Sequence, residues 1–196
     1  MSSGKINTGL FFGSFNPVHL GHLGIAGYLL DGEELDEVWF VVSPKNPLKD
    51  SEQLANPGQR LAMVKLAAAS NTAFKTCELE FSMPRPSYTI DTLRLLSKKY
   101  PENTFYLIIG SDNLEELHLW KDHEQILRDY KILVYPRGKT AKNPFDQYSN
   151  VKITQAPLIE ISSTLIRQRI AQSKDVSHLL PAGVHGYIIQ NALYGA

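Results

Sequence analysis

"INTGLFFGSFNPVHLGHLGIAGYLL", residues 6–30, is the stretch that decides the fold. Its first part, Ile6–Phe12, is an apolar run that predicts a buried strand, and turn residues follow it. His19–Leu30 carries apolar residues on one side and predicts a helix. No Asp, Glu, Lys or Arg occurs in the stretch. Because polar residues between Asn16 and His22 interrupt it, a signal peptide or a membrane helix is not expected.

Strands and helices are predicted to alternate along the rest of the chain. Further strands are expected at Glu37–Ser43, Phe74–Met83, Thr104–Asp112, Lys131–Tyr135 and Val151–Thr154, and further helices at Pro57–Ser70, Ser87–Tyr100, part of Leu117–Arg128, Ser163–Gln172 and Val184–Tyr194. This alternation predicts an α/β fold, a Rossmann-like open parallel sheet with helices on both faces. We expect one domain over residues 1–196, in which about residues 160–196 form a small C-terminal helical subdomain.

Composition restricts the class of partner. The 196 residues include 20 Lys+Arg and 20 Asp+Glu, so the formal net charge is zero. Proteins that bind the nucleic-acid backbone normally carry excess positive charge, so nucleic acid is not expected as a partner. A membrane is not expected either, because the apolar stretch is interrupted. The single cysteine, Cys77, cannot form an intramolecular disulfide, which suits a reducing compartment and predicts a cytoplasmic protein. The sequence leaves a homo-oligomer open.

The turn after the first predicted strand is a candidate anion site. In an open parallel sheet, ligands bind beyond the carboxyl ends of the strands. The turn reads GSFNPVHLGH over residues 13–22, where glycines allow close approach of backbone and a helix N-terminus offers N–H groups to an anion. His19 and His22 are three residues apart, so they share a helix face and can donate to phosphate oxygens. A zinc pair is the alternative, but zinc needs a third protein ligand and the sequence shows no nearby carboxylate.

A second candidate lies near the C-terminus, in ISSTLIR at residues 161–167. Its three consecutive hydroxyl residues can cap the start of a helix, which leaves N–H donors available there. Arg167 follows one turn later and can donate to a phosphate through both arms of its guanidinium.

These two motifs together resemble the His-x-Gly-His nucleotidyltransferase superfamily, which includes nicotinate-nucleotide and pantetheine-phosphate adenylyltransferases. RPSYTIDTL at Arg85–Leu93, GSDN followed by Trp120, and LLPAGVHGYIIQNALY near the end resemble the nicotinate-nucleotide adenylyltransferase family in particular. The resemblance covers nearly the whole chain. It implies transfer of AMP from ATP to nicotinate mononucleotide, giving nicotinate adenine dinucleotide and pyrophosphate in NAD biosynthesis.

The resemblance also implies roles for individual residues. Catalytic roles fall to His19, His22, Lys49 and Arg167, ATP binding to Gly13, Ser14, Phe15, His19, His22, Gly110, Asp112, Ile161, Ser162, Ser163 and Arg167, and nicotinate-nucleotide binding to Ser14, Lys49, Tyr88, Thr89 and Trp120. Asp112 would accept hydrogen bonds from ribose hydroxyls, and Trp120 would stack on the nicotinate. Magnesium is expected between the phosphates and water, with no metal ligand from protein side chains.

Two departures from the family pattern stand out. The usual turn is Gly-Gly-Thr-Phe-Asp-Pro, whereas residues 12–17 read FGSFNP, so Asn16 brings no charge. After the second strand, Lys49 is the natural match to the family lysine and Lys45 is its rival. Transfer to nicotinamide mononucleotide or to pantetheine phosphate, and a non-catalytic nucleotide-sensing module, remain as alternatives. Because the chain is neutral while both substrates are anions, we predict a local cationic pocket.

Overall fold

The computed structural model describes residues 4–44, 54–138 and 144–196. Its strands are β1 (Ile6–Gly13), β2 (Glu37–Val42), β3 (Phe74–Cys77), β4 (Asn103–Gly110), β5 (Lys131–Tyr135) and β6 (Val151–Ile153). They form one sheet in the order β3-β2-β1-β4-β5-β6, and each neighbouring pair is parallel. The helices are α1 (Leu20–Gly32), α2 (Pro57–Ala68), α3 (Thr89–Lys99), α4 (Ser111–Glu115), α5 (His123–Asp129), α6 (Ser163–Ala171) and α7 (Ala182–Gln190). None of the helices described is long and apolar enough to span a membrane.

Each face of the sheet is buried under its own set of helices. Successive side chains of a strand point to opposite faces, so Leu10 and Phe11 of β1 enter different cores. Phe11 packs in a core with side chains of α1, α2, α6 and α7. Leu10 packs in the other with side chains of α3, α4 and α5. The predicted parallel sheet with helices on both faces is confirmed, and the C-terminal helices α6 and α7 share the core of α1 and α2.

The strand order places a crevice at the carboxyl ends of β1 and β4. From β1 the chain winds outward through β2 to β3, then crosses back to β4 on the opposite side of β1. Residues Phe11 and Ile108 pair directly across the two central strands, so both strands end at the same edge. Ligands of open α/β sheets bind at such a reversal of strand order.

Two predicted elements end earlier than expected. The predicted strand at Phe74–Met83 was wrong beyond Cys77, because Leu79–Ser82 forms a short 3-10 helix. Glu80 in this helix is buried, whereas a polar residue of a half-exposed strand would face solvent. The predicted closing helix Val184–Tyr194 stops with α7, since Ala192 adopts a left-handed conformation with φ 46°.

The predicted partly helical segment Leu117–Arg128 is interrupted at residues 120–122. A 3-10 helix spans Leu117–Leu119, and α5 begins only after Asp122, which has a left-handed conformation with φ 50°. The interruption places Trp120 in a loop at the sheet edge.

Candidate active site

A cleft of about 840 Å³ lies at the carboxyl ends of β1 and β4. Its walls include most of the site residues predicted from the sequence: Gly13, Ser14, Phe15, His19, His22, Tyr88, Thr89, Gly110, Trp120, Ser162, Ser163 and Arg167. Ile161 lines a smaller adjoining cavity, which shares His19 and His22 with the cleft. Asp112 does not line the cleft itself. Lys49 and its rival Lys45 lie outside the described residues.

Two glycines of the turn after β1 make room for the rings of that turn. A Cβ on Gly13 would come within 2.9 Å of the Phe15 ring, and a Cβ on Gly21 would come within 2.9 Å of Nδ1 of His19. Phe15 itself has φ 46° and is buried. The spacing of glycine and histidine in this motif is therefore a packing requirement as well as a means of access to a ligand.

His19 and His22 form a stacked pair at the start of α1. Their ring centroids are 3.7 Å apart with an interplanar angle of 30°. The backbone N–H of His19 donates to Nδ1 of His22 over 3.2 Å. Because Nδ1 of His22 accepts this bond, the neutral His22 ring carries its proton on Nε2.

Burial, together with the positive charge of Arg137, lowers the pKa of His19 to about 3, which favours the neutral ring. A phosphate bound near these groups would counteract the effect of Arg137, since an anion favours the protonated ring.

Unsatisfied polar atoms are concentrated at this cleft. In the part of the chain that the structure describes, the buried side-chain nitrogen and oxygen atoms without a hydrogen-bond partner are Ser14 Oγ, His19 Nδ1, Trp120 Nε1 and Arg169 Nε. The first three belong to residues that line the cleft. Buried polar groups in native proteins almost always have a partner. Their grouping beside one cleft marks that cleft as the candidate site for a polar ligand.

The N-terminus of α6 is joined to the turn after β1. Ser163 Oγ donates to the carbonyl of Pro17 over 2.8 Å, and Arg167 Nη1 donates to the carbonyl of Asn16 over 2.9 Å. Ser162 Oγ accepts from the N–H of Leu165, so its hydroxyl caps the helix as predicted. Among the described residues, Arg167 has no carboxylate within ion-pair distance, and its charge therefore contributes to the cleft.

Arg60 supports the site from within α2 and was not predicted from the sequence. This side chain is fully buried in α2 and donates only to backbone carbonyls. The acceptors are the carbonyls of Ser14, Ser43, Pro44 and Ala55. It thereby connects the turn after β1 to the segment after β2. An arginine among the apolar positions of α2 was the one available signal in the sequence.

Asn16 has a structural role that involves the end of the chain. Its Oδ1 accepts from the N–H of Ala55 over 3.0 Å and from the hydroxyl of Tyr194 over 2.8 Å. Burial raises the pKa of Tyr194, so its hydroxyl stays protonated and donates this bond. The amide at this turn thus accepts two hydrogen bonds that tie distant segments to the turn after β1.

Replacing Tyr194 with Phe is expected to lower the free energy of unfolding by about 1 kcal/mol, because Asn16 loses one of these hydrogen bonds. Denaturant unfolding measures the change. Tyr187→Phe is the matched control on α7, expected within about 0.5 kcal/mol of the wild type. Equal stability of the wild type and Tyr194→Phe would contradict a contribution from this bond.

Arg137 and Asp112 form an ion pair at the rim of the cleft, with Nη1 and Oδ2 3.1 Å apart. Arg137 lines the cleft and was also missed from the sequence. A Cβ at Gly110 would overlap the Asp112 carboxylate, which would then have to move. Both charged side chains are about half exposed.

Ion pairs from α3 hold the loop that carries Trp120. Lys121 Nζ lies 2.7 Å from Asp91 Oδ2 and 4.9 Å from the centre of the Tyr88 ring. Arg94 of α3 pairs with Asp122 over 2.7 Å. Single exposed pairs contribute little, but this network joins both sides of one end of the cleft.

Comparison with known proteins identifies the family. The model of the cytidylyltransferase-like family matches residues 10–169. A Cytophaga hutchinsonii protein named probable nicotinate-nucleotide adenylyltransferase is 46% identical over 186 residues, which cover 95% of this chain and 97% of that protein. A Bacteroides thetaiotaomicron protein of the same name is 47% identical over 186 residues, 95% and 92% of the two chains. The chain belongs to the nicotinate-nucleotide adenylyltransferase family.

Solved structures agree on the fold. The Plasmodium falciparum nicotinic acid mononucleotide adenylyltransferase complexed with NaAD superposes with a TM-score of 0.80 over 96% of this chain and 97% of that one, at 19% identity. The same protein complexed with APC gives a TM-score of 0.78. The predicted Rossmann-like fold and the predicted family are both confirmed.

Proposed function

We propose that this member of the family transfers AMP from ATP to nicotinate mononucleotide and releases pyrophosphate. The observation that carries the proposal is a set of three buried polar atoms without partners, on Ser14, His19 and Trp120. All three residues line one cleft, where the strand order of the sheet reverses. Two helix N-termini, those of α1 and α6, meet at the same cleft, and each favours a bound anion.

The reaction requires positioning and charge stabilisation rather than a protein nucleophile. An oxygen of the acceptor phosphate attacks the α-phosphorus of ATP, the new P–O bond forms, and the bond to the β-phosphate oxygen breaks with its electron pair leaving on pyrophosphate. The acceptor phosphate is already anionic at about pH 7, so no general base has to create it. Bringing two anions together and stabilising the transition state are then the tasks of the protein.

His22, His19 and Arg167 would stabilise the phosphates. His22 accepts at Nδ1 and is therefore oriented to donate from Nε2, and Arg167 adds a charge that no carboxylate of the described residues neutralises. The hydroxyl of Ser163 already donates within the protein, so its contribution would come through the free N–H groups at the start of α6. The hydroxyl of Ser162 only accepts within the protein, so it can still donate to a phosphate. Lys49 would add a further charge from the segment after β2.

The acceptor would bind at the other end of the cleft, at the start of α3. The carbonyl of Tyr88 accepts from the N–H groups of Asp91 and Thr92, so earlier N–H groups of the first turn have no partner within the helix. The N-terminus of α3 and these N–H groups suit a carboxylate. Trp120 would stack on the pyridine ring, with Lys121 close by.

The adenosine would lie near Gly110 and Asp112. Asp112 reaches this position with its carboxylate paired to Arg137, where it can still accept from ribose hydroxyls. Ile161, in the adjoining cavity beside His19, would add apolar contact.

Magnesium suits this cleft as an ion carried by the substrate. The described residues include no cluster of three or more His, Cys, Asp or Glu side chains arranged to hold a metal ion. The carboxylate of Glu80, which lines the cleft, is already bonded to two hydroxyls. Bound by the phosphates of ATP and by water, magnesium would supply charge neutralisation for the leaving pyrophosphate.

We further propose that the chain forms one domain and that the protein is cytoplasmic, as the sequence predicts.

Pyrophosphate release with three acceptors tests the proposal. Nicotinate mononucleotide, nicotinamide mononucleotide and pantetheine phosphate are compared at saturating ATP, and kcat/KM is expected to be highest with the first. A higher value with either of the others would overturn the assigned acceptor. ATP binding without pyrophosphate from any acceptor would favour a nucleotide-sensing module.

A further inference from the structure

A buried carboxylate lies at the acceptor end of the cleft, and the reaction above does not use it. Glu80 is 2% exposed, and it lines the cleft from the 3-10 helix Leu79–Ser82. Its Oε2 accepts from the hydroxyl of Ser87 over 2.7 Å, and its Oε1 accepts from the hydroxyl of Thr92 over 2.9 Å. No lysine, arginine or histidine in residues 4–44, 54–138 or 144–196 forms an ion pair with it. Burying a carboxylate without a cation is costly, so this arrangement needs an explanation.

The two hydroxyls bracket the first turn of α3. Ser87 precedes the N-cap residue Tyr88, and Thr92 lies one turn inside the helix. Both are buried, whereas Tyr88 has an extended backbone and makes no side-chain cap. A capping side chain normally fixes the start of a helix. In this protein Glu80, from the preceding 3-10 helix, fixes the start of α3 through a hydroxyl on each side of its first turn.

Resting on the proposed function, we propose that Glu80 is a positioning residue that holds the first turn of α3 in the geometry that receives the acceptor carboxylate. Glu80 makes no bond to the substrate in this account. Its two oxygens accept from two hydroxyls that both point inward, a task for which an amide offers only one acceptor. With glutamine at this position, one hydroxyl must find another acceptor, and for Thr92 the carbonyl of Tyr88 lies 3.4 Å away. The backbone conformation of the first turn of α3, which presents the N–H groups, then changes.

The sign of the effect separates positioning from simple charge repulsion. Glu80 is negative and stands beside a site for an anion. If its charge were the dominant influence, its removal would strengthen binding of nicotinate mononucleotide. If it positions the donors, its removal weakens binding.

Steady-state kinetics of Glu80→Gln test the proposal, with Glu78→Gln as the matched control. Glu78 lies two residues away, is about half exposed and pairs with Lys65. We expect KM for nicotinate mononucleotide to rise about tenfold in Glu80→Gln. This corresponds to the loss of one hydrogen bond between an N–H group of the first turn of α3 and the acceptor carboxylate. The KM for ATP and kcat are expected within about twofold of the wild type, since the ATP end of the cleft is unchanged. The control is expected to match the wild type throughout.

A double-mutant cycle adds a readout that a general loss of stability does not produce. If Glu80 acts through Ser87, then Ser87→Ala raises the acceptor KM similarly and Glu80→Gln with Ser87→Ala raises it no further. Additive effects would overturn the proposal, as would a lower acceptor KM in Glu80→Gln or equal losses for both substrates. Ser87→Ala also stands as the test variant if Glu80→Gln does not fold, and an unchanged acceptor KM in it would overturn the proposal.

Binding of nicotinate mononucleotide without ATP, measured by calorimetry, separates this proposal from the proposed function. A wild-type protein that binds the nucleotide but forms no pyrophosphate would overturn the function alone. In that case a Kd raised about tenfold in Glu80→Gln still supports the positioning role, and an unchanged Kd overturns it.

Discussion

Alanine in place of His22 is expected to lower kcat by about 100-fold, the typical loss when one aligned donor to a developing charge is removed. The structure explains why His22 has this orientation. Its Nδ1 accepts from the N–H of His19, which directs the opposite ring nitrogen away from the helix start, and the ring packs against Phe11, Phe15 and His19. Pyrophosphate release under saturating substrates measures the change.

His22→Asn distinguishes loss of the donor from damage to the helix start. The amide oxygen of asparagine can replace Nδ1 as the acceptor for His19, but asparagine has no group at the position of Nε2. We therefore expect His22→Asn to lose about as much turnover as His22→Ala while keeping more stability. His118→Asn, at an exposed histidine in the segment between α4 and α5, is the control. Turnover near the wild-type value in a folded His22→Asn protein would exclude the proposed role of this ring.

Replacing Arg60 with Met is expected to lower the free energy of unfolding by about 3–5 kcal/mol, because four hydrogen bonds from a buried guanidinium are lost together. Their acceptors are the carbonyls of Ser14, Ser43, Pro44 and Ala55, and burial leaves little water to replace the donor. Burial also lowers the pKa of Arg60, yet a guanidinium stays charged at physiological pH. Denaturant unfolding at constant pH measures the loss.

Two further variants sharpen this test. Arg60→Lys keeps the charge but not the planar fork of donors, so an intermediate loss is expected. Lys65→Met, also on α2, removes an exposed cation paired with Glu78 and is expected to change stability by less than about 1 kcal/mol. If Arg60→Met were as stable as Lys65→Met, the account of Arg60 as the connection between these segments would be wrong.

The turn after β1 was predictable because its signals are local. Apolar residues, then glycine, proline and two histidines, follow one another within residues 6–22. Each of them influences the backbone conformation or the packing of residues only a few positions away. The resemblance to a family paired this turn with the motif at residues 161–167. The hydrogen bonds from Ser163 and Arg167 to Pro17 and Asn16 then show why the two motifs occur together.

The contacts that support the turn could not be predicted in this way. Arg60 bonds to a carbonyl 46 residues away, and Tyr194 to a side chain 178 residues away. Neither contact leaves a periodic pattern in the sequence. The two wrong element ends have the same origin, which is a contact with a distant segment. Glu80 turns inward to hydroxyls before and within α3, and the segment after α7 turns back so that Tyr194 reaches Asn16.

The distribution of ion pairs shows how a chain with a net charge of zero can have a local excess of positive charge. Arg167, which lines the cleft, and Arg60, which bonds to the turn after β1, have only carbonyl or hydroxyl partners, and the described residues provide neither with a carboxylate. Acidic residues neutralise cations elsewhere, as at the pairs formed by Arg94 and Lys121. A cationic pocket in a neutral protein remains our prediction.

Following the α-phosphate of ATP tests the central claim most directly. The protein is incubated with nicotinate mononucleotide and ATP radiolabelled either in the α- or in the γ-phosphate, and the products are separated. Adenylyl transfer predicts that the α label enters the dinucleotide and the γ label leaves in pyrophosphate. A γ label in the acceptor product, or an α label that stays in ATP or ADP, would contradict the account.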